Sequence, residues 1–240
     1  SAVAEAIRRF AAEAVVDLSD EPIVSSAERF ELASEALRLG AEYVGADFRF
    51  VPPVPEVETR TPTLAIVGTG KRVGKTAVSA HTARMLSAAG TSVVVLAMGR
   101  GGPEEPELIR GDEVELTTDD LLALARRGVH AASENYEDAV MARVATVGCR
   151  RCGGGMAGSP FFSNVGEGAL LADTLDRQLM ILEGSGAAIP PVRADAAVLV
   201  AGAAQGARYL TDYFGPLRLG RADALVIAGA EEPVASHDAV

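Results

Sequence analysis

The chain reads as an α/β protein, a parallel sheet covered by helices on both faces and preceded by a smaller, partial α/β unit. Three observations predict this. Runs of strand length, apolar at consecutive positions, occur at 64–67, 93–97, 179–182, 196–200 and 224–227. Segments of helical periodicity alternate with them at 75–89, 119–127, 131–144 and 168–177. A proline-rich connector, Val51-Pro52-Pro53-Val54-Pro55-Glu56-Val57-Glu58, sets this regular pattern apart from what precedes it. Strands that are apolar on both faces and alternate with helices belong to parallel sheets buried between helical layers.

In order, residues 2–14 carry apolar side chains at helical spacing, and Ala14-Val15-Val16-Asp17-Leu18-Ser19 is a short buried-strand run. Residues 26–39 give a second amphipathic helix, with a Ser-Ser start suited to capping and Gly40 to close it. Tyr43-Val44-Gly45 is a further short strand. This βα arrangement looks like part of a Rossmann-like domain. The predicted division is therefore residues 1–57 for a partial N-terminal α/β domain and its linker, and 58–240 for the main domain, in a chain read as truncated at both ends.

The chain has 240 residues, 48% of them apolar and 23% charged, the balance of a core-forming globular protein. Its net charge of −11 argues against broad adhesion to nucleic acid or to an anionic membrane, so a polyanionic ligand needs a local basic pocket. Two cysteines cannot build a disulfide framework, which points to a reducing compartment, and no apolar run is long enough to span a bilayer. A cytoplasmic location is the expectation. Lysine usage is sharper than these totals. Of 22 cationic residues only Lys71 and Lys75 are lysines, four positions apart in one glycine-rich turn. An ammonium group is a compact point charge that fits inside a tight backbone loop where a planar guanidinium does not.

That turn is Gly68-Thr69-Gly70-Lys71-Arg72-Val73-Gly74-Lys75-Thr76-Ala77, between a predicted strand and a predicted helix. A strand, a glycine-rich turn and a helix opening on Gly-Lys-Thr are the parts of a nucleotide triphosphate loop. Backbone N–H groups and the helix N-terminus face phosphate oxygens, Lys75 reaches the β/γ-phosphates, and the Thr76 hydroxyl binds Mg²⁺. The spacing departs from the strict pattern, which places glycine where this chain has Thr69; the glycine is Gly68. Residues 68–77 are the expected nucleotide-binding set. The Gly-Thr-x-x-x-Val-Gly-Lys-Thr form resembles the loop of dethiobiotin synthetase and related ATP-dependent carboxylate-activating enzymes.

Ligands of open α/β sheets bind beyond the carboxyl ends of strands. There Leu179-Met180-Ile181-Leu182 leads into Glu183-Gly184-Ser185-Gly186-Ala187, similar to the Glu-Gly-x-Gly-Gly stretch of dethiobiotin synthetase with alanine for the last glycine. Glu183 is the expected Mg²⁺ carboxylate, or otherwise the cap of a turn. Thr117-Thr118-Asp119-Asp120 resembles the family segment that carries a second metal-binding aspartate, with Asp120 in the better register, and is equally a helix N-cap.

A wider resemblance follows from Val16–Pro22, Tyr43–Phe48, Gly68–Thr76, Ala97–Glu107, Arg150–Gly158 and Glu183–Pro191 together. In that succession the chain is similar to the cyclic 2,3-diphosphoglycerate synthetase family. The resemblance implies ATP and Mg²⁺ as cofactors and a small phosphorylated metabolite, 2,3-bisphosphoglycerate, as partner, with neither nucleic acid nor membrane; a homodimer is allowed. It implies an ATP-driven ligase that closes an intramolecular phosphoanhydride and releases ADP and phosphate. Lys75, Lys71 and Arg100 are then the expected catalytic cations. Arg100, Arg150, Arg151, Gly184 and Ser185 are the expected substrate contacts, and Thr76, Asp120 and Glu183 the expected metal ligands. Solvated loop arginines are the plainer reading of Arg100, Arg150 and Arg151. Two alternatives stand beside this one, a dethiobiotin-synthetase-like carboxylate ligase and a nucleotide-switch ATPase or metallochaperone. Cys149 and Cys152 are read as loop thiols, since a structural zinc site needs four ligands. His130 with Glu134 is a weak metal pair, and His237 falls in an irregular terminus.

Overall fold

The computed structural model of the protein describes residues 1–128 and 133–230. The N-terminal part comprises α1 (Ala2–Phe10), β1 (Ala14–Val16), α2 (Ser26–Arg38), β2 (Glu42–Val44) and β3 (Arg49–Phe50). β1 and β2 pair in parallel and β3 returns antiparallel, so this small sheet is mixed. The predicted serine cap is present: Ser25 accepts from the Glu28 N–H while the Glu28 carboxylate accepts from Ser25, a capping box. Gly40 follows the helix at φ +84°, a conformation glycine adopts without cost.

Asp17, just beyond β1, ties the unit together. Its carboxylate accepts from the Ser19 hydroxyl and N–H, from the Tyr43 hydroxyl at 2.9 Å and from Arg29 Nε at 3.0 Å. Those bonds, the Ser19 hydroxyl foremost, pull its pKa from 3.8 down to about 2. A depressed carboxylate stabilises the fold above its unfolded pKa, and that contribution fades as pH falls through the folded value. Melting curves followed by circular dichroism are therefore expected to fall more steeply between pH 4 and pH 2 in the parent than in Asp17→Asn. The substitution lowers the melting temperature at neutral pH; equal slopes would remove Asp17 from the acid transition.

The remaining elements are β4 (Thr63–Gly68), α3 (Lys75–Ala88), β5 (Val93–Arg100), β6 (Glu107–Arg110), α4 (Thr118–Arg126), α5 (Ser133–Ala142), β7 (Ala145–Cys152), β8 (Phe162–Ser163), α6 (Val165–Asp173), β9 (Leu179–Glu183), β10 (Ala196–Gly202), α7 (Arg208–Thr211), α8 (Gly215–Leu219) and β11 (Ala224–Ala228). The sheet runs β11-β10-β4-β9-β5-β7-β6, with β8 also on β7. β11 through β7 are parallel in this order, while β6 and β8 pair antiparallel with β7. One face packs Val94, Leu96, Met98, Val147 and Leu182 against Val165, Ala169 and Ala172 of α6. The other packs Ile66, Val95 and Ile181 against Ala80 and Ala83 of α3 and Ala142 of α5. Burial on both faces explains the uninterrupted apolar runs.

β7, paired with β5 along its length, is a strand that the sequence pattern does not predict. The sequence pattern ends a helix at Val144 and offers only loop around Cys149–Cys152, because Gly148, Arg150 and Arg151 interrupt the apolar run. The strand holds them because Gly148 leaves room for a side chain beside it: a Cβ there would stand 2.7 Å from Asn135 Cγ. Cys149 and Cys152 are accordingly strand residues rather than loop thiols, Cys149 buried in the core and Cys152 exposed, both free.

The connector at 51–58 carries neither helix nor strand, and it is strapped to the segment between β9 and β10 by Glu56 N–H to Pro191 O and Arg193 N–H to Val57 O, each 2.9 Å. The N-terminal core is continuous with the rest of the protein: Ile7, Leu37 and Tyr43 share a cluster with Ala157, Phe214 and Leu217. Phe214 packs edge-on against Phe50 and Phe30, with ring centroids at 4.9 and 5.3 Å. α2 and β3 thereby hold Phe214 at the start of α8. No helix among the described residues is long and apolar enough to cross a membrane.

Candidate functional site

The parallel arrangement brings the carboxyl ends of β4, β9, β5 and β7 side by side, and the distinctive loops all leave from that edge. After β4 the chain turns through residues 69–74 and enters α3 at Lys75. Arg72 at φ +59° and Gly74 at φ +94° make the tight reversal. The turn is braced from β10: the Thr69 N–H donates to Val200 O at 3.0 Å, and the Thr69 hydroxyl donates to Gln205 Oε1 at 2.7 Å. Lys75 is buried, and its ammonium donates to Gly70 O at 2.7 Å. Its stem crosses Gly68 so closely that a Cβ there would stand 2.8 Å from Lys75 Cδ. Glycine at 68 is thus a packing requirement of the lysine.

β9 lies beside β4 with Glu183 in register with Ile66, and beside β5 with Glu183 in register with Ala97. That register delivers the Glu183 carboxylate to the start of α3, where the Thr76 hydroxyl donates to Oε1 at 2.5 Å. Glu183 is 4% exposed. From α5 a second buried carboxylate, Asp138, lies against Glu183 and against Ser79 of α3. Burial, and next the Asp138 charge, push the Glu183 carboxyl well above the usual range; Asp138 is raised too, chiefly by burial. Glu183 Oε2, both Asp138 oxygens and Ser79 Oγ face one another without a well-formed hydrogen bond, and both amide atoms of Asn135 are buried without a hydrogen-bond partner. Buried oxygens left in that state are costly. Two carboxylates and the Thr76 hydroxyl form an oxygen-only donor set, which suits a hard divalent cation. Among the described residues no group of three or more His, Cys, Asp or Glu could hold a metal, so a cation here needs oxygens from elsewhere, such as phosphates.

Asp120, expected here from the sequence, is not brought to this cluster. It is the N3 residue of α4, where its carboxylate accepts from the Thr117 N–H and hydroxyl at 2.9 and 2.6 Å in an exposed capping box. The carboxylate beside Glu183 is Asp138. A trace of it was legible: on α5 the polar Asn135 and Asp138 share the buried face with Ala139 and Ala142. His130 and His237, and the side chain of Glu134, lie outside the described residues.

A cavity of about 630 Å³ opens over this edge, lined by Lys71, Lys75, Thr76, Glu183 and the 184–186 turn. Arg151, at the end of β7 and 4% exposed, reaches that turn: Nη2 donates to Ser185 O and Oγ at 3.1 and 3.2 Å, and Nη1 to Gly153 O at 2.5 Å. Gly186, at φ +62°, sits between Arg151 Nη2 and the Lys71 stem, which a Cβ would meet at 3.3 and 3.7 Å. Arg100 ends β5 in register with Arg151 and points to the same side of the sheet, exposed. Arg150 points to the opposite side and donates Nε to Gly102 O at 2.7 Å, which fixes the turn after β5. The structure therefore gathers Lys71, Lys75, Thr76, Glu183, Gly184, Ser185 and Arg151, leaves Arg100 exposed beside Arg151, and separates Arg150 and Asp120 from them.

Comparison with known proteins agrees along the whole chain. The family model described as the P-loop domain of cyclic 2,3-diphosphoglycerate synthetase matches residues 63–240, and the one described as its N-terminal domain matches residues 1–51. Proteins named cyclic 2,3-diphosphoglycerate synthetase are similar at 54% identity in Rubrobacter xylanophilus, 48% in Methanothermus fervidus and 53% in Thermococcus kodakarensis. These matches cover 98%, 99% and 92% of this chain and 53%, 52% and 50% of the relatives. The chain thus spans about half the length of the curated relatives it matches. Extending over both the three-stranded unit and the main sheet, the matches show that the chain belongs to the cyclic 2,3-diphosphoglycerate synthetase family.

Proposed function

We propose that this protein binds ATP with Mg²⁺ and uses it to close an intramolecular phosphoanhydride in 2,3-bisphosphoglycerate, giving cyclic 2,3-diphosphoglycerate, ADP and phosphate. The observation that carries the reading is the convergence of Lys75, Lys71 and Arg151 on the turn that follows Glu183. An acidic protein here concentrates three cations at one strand edge. Residues 68–77 cradle the triphosphate, with Lys75 toward the β/γ-phosphates. The Thr76 hydroxyl, Glu183 and Asp138 hold Mg²⁺, whose chemistry is to neutralise charge on the phosphate oxygens.

One phosphate oxygen of the substrate attacks the γ-phosphorus, the bond from that phosphorus to the β-bridging oxygen breaks, and ADP leaves. The second substrate phosphate then attacks the phosphorus of the activated one. The bond from that phosphorus to the oxygen bridging it to the transferred phosphoryl group breaks, phosphate departs with the bridging oxygen, and the ring closes. Both phosphates are already ionised, so no general base is required, and their attachment to adjacent carbons supplies proximity. Lys75, Lys71 and Arg151 offset the charge on the transferring group, and Arg100, on the same side of the sheet as Arg151, contacts the substrate. Arg150 acts through the turn it holds.

The test is ³¹P NMR of the protein with Mg-ATP and 2,3-bisphosphoglycerate. Stoichiometric ADP, phosphate and a cyclic pyrophosphate resonance are expected; ADP formation triggered instead by a carboxylic acid or a diamine would indicate the carboxylate-ligase alternative. Nothing among the described residues favours that alternative or the nucleotide-switch reading.

A further inference from the structure

Beside the cavity over Lys75 lies a second one, of about 570 Å³, lined by Thr69, Met156, Ala187, Tyr209, Tyr213 and Arg218, with Arg208 and Asp212 also on its wall. The phosphate loop and the turn after β9 contribute to both cavities: Thr69 and Ala187 to this one, Lys71 and residues 184–186 to the other. Arg218 is a buried cation on α8, 9% exposed. Its guanidinium donates only to backbone carbonyls, Nε to Ala187 O at 2.9 Å, Nη1 to Phe214 O at 2.9 Å and Nη2 to Met156 O at 3.1 Å. No carboxylate is paired with it among the described residues, although ten ion pairs form elsewhere.

Carbonyl dipoles soften that isolation but bring no opposite charge, and a buried ion without one is strongly unfavourable. Burial alone lowers its pKa to about 10, so it stays charged at neutral pH. A guanidinium has five N–H donors, and three are used. Asp212, exposed, instead accepts from the Thr211 hydroxyl at 2.9 Å. Arg208, also exposed, stands over the Tyr209 ring at 5.4 Å and brings a second cation to the wall.

We propose that this second cavity is an anion subsite, in which Arg218 and Arg208 bind a phosphate or carboxylate of the acceptor while its other phosphate reaches the γ-phosphate across the shared wall. The ligand class is a small organic acid carrying at least two anionic groups on neighbouring carbons. This rests on the cyclising function proposed above. It adds a residue that no motif marks, and it gives the N-terminal unit a part in the chemistry, because Phe30 and Phe50 pack on Phe214 and so hold α8.

The test saturates the protein with Mg²⁺ and a non-hydrolysable ATP analogue. It then titrates 2,3-bisphosphoglycerate and, separately, inorganic phosphate by calorimetry into the parent, Arg218→Lys and Arg208→Ala. Lysine keeps the charge but loses the fork, so Arg218→Lys is expected to weaken both anions by about 10- to 100-fold. Arg208→Ala breaks no backbone clamp and is expected to weaken them by roughly 3- to 10-fold. Analogue affinity stays within about twofold in both variants. The inference is overturned if the parent binds neither anion, if both variants bind them as the parent does, or if Arg218→Lys loses analogue and anion together while Arg208→Ala loses nothing. Arg218-dependent binding of phosphate without binding of 2,3-bisphosphoglycerate would keep the subsite and overturn the cyclising function.

Discussion

Replacing Lys75 by methionine is expected to lower ATP turnover by about 10²- to 10³-fold, the usual cost of removing one donor aimed at developing charge. The melting temperature of the ligand-free protein changes little by comparison. The contrast arises because the ammonium serves two ends. Without nucleotide it donates to the Gly70 carbonyl inside its own loop and offsets charge on the buried Glu183 carboxyl. With nucleotide it faces several phosphate oxygens. Lys75→Arg is expected not to restore turnover. The lysine stem already crosses Gly68 at a distance that leaves no room for a Cβ, so a planar guanidinium cannot follow that path. Lys71→Ala, at an exposed position on the cavity rim, is expected to cost only about tenfold. Steady-state kinetics beside a thermal melt separates these outcomes. An active Lys75→Arg would show that charge alone, without the compact head, is sufficient.

The second large effect has opposite signs in two measurements. Glu183→Gln or Asp138→Asn removes one of two buried carboxylates that repel each other. The metal-free protein is expected to gain about 1–2 kcal/mol, a rise of roughly 2–8 °C in melting temperature for a chain of this size. The same substitutions are expected to abolish most of the gain in nucleotide affinity that Mg²⁺ brings. Asp120→Asn is the contrast, because that carboxylate caps α4 in solvent. It is expected to lower stability only slightly and to leave the Mg²⁺ effect intact. A destabilised metal-free Asp138→Asn would mean that Asp138 is a satisfied structural group; a lost Mg²⁺ effect in Asp120→Asn would restore the expectation drawn from the sequence.

The exchange of Asp120 for Asp138 marks where the sequence stops being informative. The central strands and the glycine loop were readable because burial on both faces and a tight phosphate-binding turn each impose a local pattern. Thr-x-x-Asp before an apolar run is a pattern too, but the one it satisfies is a helix cap. Asp138 follows no local rule: it becomes a partner of Glu183 only when α5 packs across α3 and the end of β9. β7 lacks a local signature for a related reason. Its polar end is held as strand by β5 and β8 on either side, not by its own propensity. Arg150 and Arg151, adjacent in sequence, part company because alternation along that strand sends one to each side of the sheet. Arg218 reads as one surface arginine among twenty until the N-terminal aromatic residues bury the helix that carries it.

All of this depends on two polyanions being held at once on the two sides of the loop at 68–71 and the turn at 184–187. Differential scanning measurements with a non-hydrolysable Mg-nucleotide alone, 2,3-bisphosphoglycerate alone, and both together address that directly, since each ligand on its own site raises the melting temperature by its own increment. The account predicts that the combined shift approaches the sum of the two separate shifts. A combined shift no greater than the larger one would mean that both anions compete for a single place, and would contradict it.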